Sequence, residues 1–429
     1  MQTRRSFVHK STIAALGAFQ AQVTRGQGRE RLRAGLIGCG GRGTGAVVDL
    51  LTGREDVELV SMGDIFEDKL ESSLSRLRDA RNAGRHAGID NRTREELGAS
   101  IVKRIQVKPD HHFVGFDAYK KVIASDVDIV MLTTPPGYRP IHFEAAIEAR
   151  KHVFTEKPVG TDPVGTRRFL DAARKAEQLK LTVMSGSQRR SSRDYLETIA
   201  KIREGAIGEV VAAYSWYLSG PVFHAKARDA KWGDMEWQHR NWYSFLWLCG
   251  DQIVEQHYHN IDFMNWALGG HPVSVVASGG VAWRTREELY GNIFDHMNSD
   301  FLYGNGVRLT SHCRQYPQGA HRNVSDLIVG TRGKSNGSDM GTRGINGQVQ
   351  EHIDMLKSIK GEGPYINQGR EVGESTLTCV MARESAYSGQ QITWDQIMAS
   401  QQDLMPKAFD YKLQMNPPEL PAPGKYKFL

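Results

Sequence analysis

The passage from Leu32 to Gly43 constrains the fold more than any other. A short apolar run, Leu32–Ile37, feeds into Gly38-Cys39-Gly40-Gly41-Arg42-Gly43, and a helical pattern follows over 44–51. A glycine-rich turn alone means little, but between a strand and a helix it has a physical use. Gly38 permits the tight turn, Gly40 lets backbone approach a pyrophosphate, and Gly43 lets the helix pack closely on the strand. Gly41 and Arg42 complete the turn, and the helix N-terminus favours the phosphates. An acidic residue should close the next strand about 20 residues on. Asp64 does so, directly after the run 57–63. Its carboxylate would accept from the adenosine ribose hydroxyls and repel a 2′-phosphate, which favours NAD over NADP.

The rest of the first half keeps alternating. Residues 66–116 read as a helix with a polar, Arg-rich excursion; strands are expected at 128–133, 152–155 and 181–185, with helices at 141–150 and 163–179 between them. That alternation implies an α/β fold with a Rossmann-type, doubly wound parallel sheet. The pattern then changes. Strands are expected at 210–218, 273–283, 299–303 and 307–312, the last two joined by the hairpin signal Gly304-Asn305-Gly306. They imply an open, mostly antiparallel sheet in a second α/β domain, with helices at 348–360 and 371–388. A Pro-rich stretch, 417–423, reads as extended tail on the surface. The 429 residues are enough for two domains with cores of their own. The expected division is 1–28 signal and linker, 29–188 nucleotide domain, 189–400 substrate and oligomerisation domain, and 401–429 tail.

The formal charge is +6, but the most basic stretch, 76–104, is interleaved with Asp79, Asp90, Glu95 and Glu96. It reads as a solvated helical surface, so no nucleic-acid partner is expected. No apolar run is long enough to span a bilayer. The four cysteines, Cys39, Cys249, Cys313 and Cys379, form no CxxC pair and read as small buried side chains. The chain opens Met1-Gln2-Thr3-Arg4-Arg5-Ser6-Phe7-Val8 ahead of a mildly apolar run to Val23, which resembles a twin-arginine signal. Export in a folded state, to the periplasm or beyond, is the expectation, with processing between Ala18 and Gln27. Without such a signal the chain would be cytoplasmic.

The stretch 128–135, with Thr134 and Pro135, then His142, then 148–158 ending Thr155-Glu156-Lys157-Pro158, resembles the glucose–fructose oxidoreductase / inositol dehydrogenase / MocA family. The resemblance runs over about residues 30–400 and is strongest in the first domain. It implies that Glu156-Lys157-Pro158 closes the nucleotide domain and that Lys157 lies beside the nicotinamide and the reacting carbon. It also implies an acid and a histidine four residues apart in the second domain. Glu255 and His259 match, with Glu where the family usually has Asp and Gln256 where it commonly has Gly. On a helix that spacing puts both on one face, with His257 turned away. The family's second sheet often packs face to face, which implies a homodimer or homotetramer.

The chemistry implied is hydride transfer from a secondary alcohol of a sugar, polyol or glycoside. His259 would be general base, Lys157 would stabilise the developing negative oxygen, and Glu255 would hold a hydroxyl or orient His259. Arg189, Tyr217, Trp242 and His257 are the expected substrate contacts. Trp216, Trp232, Trp237, Trp242 and Trp247 fall within 32 residues and suggest an aromatic sugar-binding face. Grouping Glu255, His257 and His259 as metal ligands would need a strand there, so no metal is expected. Two other functions stay open: a redox-neutral, NAD-dependent glycosidase or lyase that oxidises the ring transiently, and a non-catalytic sugar-binding protein of the same fold.

Overall fold

The computed structural model describes residues 30–222, 227–284, 288–415 and 419–428. The twin-arginine-like segment and its processing point lie outside the described residues. Strand β1 (Leu32–Ile37) is buried on both faces, which is why its sequence is continuously apolar rather than alternating. It leads through Gly38 into helix α1 (Gly41–Gly53). Strands β2 (Val57–Asp64), β3 (His112–Val114), β4 (Ile129–Leu132), β5 (His152–Thr155) and β6 (Val183–Ser185) complete a parallel sheet of order β3-β2-β1-β4-β5-β6. Because β2 and β4 flank β1 on opposite sides, the connections diverge there and leave a crevice at the strand C-termini. Helices α2 (Arg139–Glu148) and α3 (Pro163–Gln178) pack against each other on this domain.

The second sheet has order β12-β11-β7-β10-β9-β8-β13. Its strands are β7 (Val210–Ser219), β8 (Pro272–Gly280), β9 (His296–Tyr303), β10 (Arg308–Gln315), β11 (Asn323–Gly330), β12 (Gly333–Ser335) and β13 (Ile392–Thr393). Only β7 and β10 pair in parallel among the described residues; the other neighbours are antiparallel. Gly306, at φ +84°, closes the β9–β10 hairpin at the expected place. Helix α4 (Tyr258–Leu268) packs under β7. Helix α5 (Gly347–Lys360) returns to the first domain and packs on α1. Helix α6 (Gly369–Ser388), buried along nearly its whole length, lies between β8 and α3 and so ties the two domains together.

Three expectations are corrected. β11 and its short partners were not foreseen, because Ser325 and Asp326 interrupt the apolar pattern. Buried Asp326 is compensated by Ser215, Asn260 and Arg189, which no sequence period could reveal. The strand expected to run to Trp283 stops at Gly280, where the Asp295 carboxylate takes the N–H groups of Ala282, Trp283 and Arg284 in place of ladder bonds. The continuous helix expected through Glu255 and His259 is broken. A single turn, Gln252–Glu255, ends before Gln256, and the His257 N–H reaches back to the Gln252 carbonyl at 3.2 Å.

Candidate active site

A cavity of about 750 Å³ opens at the C-terminal ends of β1, β2 and β4 and runs to the second domain. One end is the glycine turn. A Cβ on Gly38 would come within 2.7 Å of the Thr134 nitrogen, and one on Gly43 within 2.1 Å of the Gly38 carbonyl oxygen. Both glycines are therefore demanded by the protein's own packing. Gly40 and Gly41 are different: no atom lies within 4 Å of where their Cβ would stand, and both line the cavity. That open cradle at a helix N-terminus suits a pyrophosphate. Asp64 also lines it, with one carboxylate oxygen accepting from Cys39 N at 2.6 Å and the other from Phe66 N at 2.9 Å. Burial raises the Asp64 pKa, against the pull of those two N–H donors. Thr134, Pro135 and His142 line the same wall, where His142 stacks between Tyr119 and Tyr138. Burial pulls His142 down to about 3, so it is neutral. The residues fit a dinucleotide.

At the far end, Lys157, Glu255 and His259 meet, so the broken helix still delivers the acid and the histidine to one cavity. Lys157, 8% exposed, donates from Nζ to the Glu255 carbonyl oxygen at 2.6 Å and approaches Oε1 of the same residue at 3.4 Å. The other carboxylate oxygen accepts from Gln256 Nε2 at 2.7 Å, and Gln256 Oε1 accepts from the Tyr217 hydroxyl at 2.7 Å. His259 is held well below its ordinary pKa by burial, then by the positive charges of Lys157, Arg189 and Arg42. Its imidazole is therefore unprotonated at neutral pH. Arg42 joins Glu156 and Asp49. Burial tends to raise the Glu156 pKa, but Arg42 and Arg139 outweigh it, and Glu156 stays ionised.

Three of the four expected substrate contacts are placed elsewhere. His257 is fully buried and its Nε2 sits 2.6 Å from Ser311 Oγ on β10, because the wide turn at Gln256 rotates it onto the sheet. Arg189 pairs with Asp326 at 2.7 Å, neutralising that buried carboxylate instead of reaching the cavity. Tyr217 stands behind Gln256 and acts through it. Trp242 does line the cavity. Of the other four tryptophans, none lines it: Trp237 and Trp247 are core, Trp216 stacks on Tyr214, and Trp232 lies against Arg240. His257 diverges from Glu255 and His259, so the three do not form a ligand set.

Arg240 and His239, polar residues among the clustered tryptophans, and Gln256 line the cavity, and so do Arg139, Gln188, Tyr243 and Gln348, which were not foreseen. Arg139 stands between Pro135 and His142, in a gap between the residues that carried the resemblance. Burial brings its pKa down to about 10, and its Nε has no hydrogen-bond partner. Gln188 opens the 3-10 turn after β6, and Tyr243 and Gln348 lie at short turns or helix starts where no local pattern marks them.

A doubly wound nucleotide domain, a glycine cradle, and a lysine–histidine–carboxylate cluster at the far end of one cavity define a two-domain chain with a dinucleotide-type cleft. The family signature described as "Oxidoreductase family, NAD-binding Rossmann fold" matches residues 32–185, and "GFO/IDH/MocA C-terminal domain" matches 195–335. Together they span more than half the chain, which belongs to the GFO/IDH/MocA family. Inositol 2-dehydrogenase of Acidothermus cellulolyticus is 30% identical over 183 residues, 43% of this chain and 44% of that one. A glycosyl hydrolase family 109 protein of Shewanella amazonensis is 29% identical over 127 residues, 29% of this chain and 27% of that one. The matches thus span less than half of these relatives. Among solved structures, scyllo-inositol dehydrogenase of Lactobacillus casei with bound NAD(H) and scyllo-inositol superposes with TM-score 0.61 at 16% identity, covering 85% of this chain and 99% of that one.

Proposed function

We propose that this protein is an NAD-dependent oxidoreductase that takes hydride from a secondary alcohol of a sugar, polyol or glycoside. One observation carries the reading: Lys157, Glu255 and His259 converge on the cavity whose other end is the glycine cradle and Asp64. A bound nicotinamide supplies the hydride-transfer chemistry. Neutral His259 accepts the hydroxyl proton. The Lys157 ammonium stabilises the negative charge that grows on the same oxygen. Glu255 holds Lys157 through its carbonyl and offers its carboxylate to a substrate hydroxyl. The polar end wall, with the Trp242 face beside it, suits a polyhydroxylated ring, and the inositol dehydrogenases among the relatives point the same way. The test is a panel of polyols, sugars and glycosides given to the full chain with NAD. Reduced cofactor should form with at least one class; no turnover and no binding across the panel would leave only a sugar-binding or scaffold role.

A redox-neutral glycosidase is the second reading, favoured by the likeness to the family 109 glycosyl hydrolase protein. Glycoside cleavage without net cofactor reduction would select it. The Arg4-Arg5 segment supports export by the twin-arginine route, and Arg4→Lys with Arg5→Lys should hold the chain in the cytosol on fractionation. A homo-oligomer is supported by the second sheet's outer row, where Leu327, Tyr214, Thr310, Asp300 and Val276 stand in register and Val276 is 52% exposed. Light scattering of the full chain should give a dimer or tetramer mass.

A further inference from the structure

Two later segments lie against the mouth of the cavity nearest Asp64: Arg240 lines it, and Tyr411 and Phe409 contact residues that do. In a doubly wound domain the adenosine half of a dinucleotide lies over the ends of β2 and β3. Here those ends are followed by Ile65, Phe66 and Lys69, and by Gly115 and Phe116. Two pieces from far along the chain lie over them. The Arg240 guanidinium sits 4.0 Å from the Phe66 ring centroid and pairs with Asp68 at 3.3 Å. From the tail, the Tyr411 hydroxyl donates to the Ile65 carbonyl, and the Phe409 ring stacks on Phe116 at 5.7 Å.

These pieces are knit to each other. Met235 N donates to the Leu413 carbonyl at 3.3 Å, Met415 N donates to the Asp234 carboxylate at 2.8 Å, and Gln238 Nε2 donates to the Met415 carbonyl at 3.2 Å. A Cβ on Gly233 would stand 2.3 Å from the Tyr411 carbonyl oxygen, so the tail lies directly on this segment. Both are bolted to the nucleotide domain at Tyr138, whose hydroxyl donates to His239 Nε2 at 2.7 Å while His239 Nδ1–H donates to the Met235 carbonyl at 2.6 Å. Tyr138, Trp237, Phe245, Trp247 and Leu248, with Leu404, Met405 and Met415 against them, form a separate apolar cluster at this junction. Widening the cleft on this side would expose that cluster to water.

We propose that residues 232–243 and 404–415 form a roof over the adenosine half of the dinucleotide site, and that the cofactor is retained through many turnovers. The inference rests on the reading above that the cleft holds NAD. Retention has a consequence for the reaction sequence. Hydride taken from a carbinol carbon, with its hydroxyl proton, leaves a ketone. That hydride must return in the same cleft, to a carbonyl carbon of a second substrate or to the same substrate before release.

The experiment loads the full chain with isotope-labelled NAD, chases with unlabelled NAD and follows loss of label. The unmutated protein should keep its label through gel filtration and over many turnover times. Phe409→Ala with Tyr411→Ala should speed the loss by ~10-fold or more, since contacts that close a site act mainly on dissociation. Should that double variant fail to fold, Arg240→Gln must show the same acceleration. Loss of label from the unmutated protein within a turnover time, or equal loss from protein and variants, overturns the roof and leaves the oxidoreductase reading standing. If equilibrium titration finds no NAD binding at all, both fall.

Discussion

At the residue scale, the proposed function gives Lys157 and His259 separable duties at one oxygen. Lys157→Ala removes the charge that favours the developing alkoxide; His259→Ala removes the proton acceptor. Each should lower turnover by ~10²-fold or more while NAD affinity, set at the other end of the cavity, stays nearly unchanged. Steady-state kinetics beside calorimetry checks this, and near-normal turnover in either variant removes that residue from the mechanism. Asp64 is committed to the turn through Cys39 N and Phe66 N, yet still faces the cavity. Asp64→Ala should narrow the preference for NAD over NADP and also weaken NAD itself, because the turn loses its anchor. Tighter NADP than NAD binding by the unmutated protein would contradict the assignment.

At the scale of the element, the strand–turn–helix unit separates folding from binding glycine by glycine. Gly43→Ala places a methyl 2.1 Å from the Gly38 carbonyl oxygen, so α1 must move off β1. Overpacking of this kind costs ~1–3 kcal/mol and should lower the melting temperature. Gly40 has φ −71°, which alanine adopts freely, and nothing within 4 Å of its Cβ position. Gly40→Ala should therefore melt like the unmutated protein but bind NAD more weakly, by ~10-fold, as the methyl enters the pyrophosphate cradle. Equal melting and equal affinity for both variants would show that the cradle holds no ligand. The turn before Glu255 is held in another way. Asp251 sits at φ +80°, and its buried carboxyl accepts from Gln252 N, Phe294 N and the Tyr387 hydroxyl, which hold the turn that bears Glu255.

At the scale of the whole molecule, six buried imidazoles, His259 among them, drive the response to acid. Burial depresses His142 and His257 to about 3 and His152, His239 and His352 to about 4. An unfolded chain would titrate them near ~6.5. The unfolded state therefore binds more protons as pH falls below that value, so stability is lost from there down toward pH 4. Asp251 works the other way. Burial raises it to about 6, so its contribution is present at low pH and lost as pH rises through 6. Asp64, Asp162, Asp326, Asp354 and Glu351 are raised by burial in the same sense and temper the loss, while Asp49, Asp56 and Glu156, depressed by their cationic partners, add to the loss that the imidazoles produce in acid. Melting temperature should fall steadily from pH 7 to pH 4, with His239 unlocking the contact to Tyr138 at the domain junction. A flat profile over that range would mean that these imidazoles are hydrated in solution.

The nucleotide half was legible because its signals are local. Buried parallel strands read as apolar runs, and the glycine turn, Asp64 and the Glu156-Lys157 segment each lie within a few residues of the strand that places them. Glu255 and His259 were legible through the family resemblance, which implies an acid and a histidine four residues apart; the helix meant to align them is broken, yet both still line the cavity. The other substrate contacts were not legible. Whether Arg189 reaches a ligand or neutralises Asp326 depends on a strand 137 residues away, and His257 turns inward because Ser311 waits on β10. The cover over the adenosine end is likewise a tertiary fact. Arg240, Phe409 and Tyr411 carry no motif, and a solvated arginine or a surface tyrosine would be written the same way. Local sequence determines strands, turns and the chemistry displayed at their ends, because those depend on backbone geometry over a few residues. Only the folded chain decided which polar side chains are consumed by one another and which are left facing the cavity, because that depends on pairings between segments hundreds of residues apart.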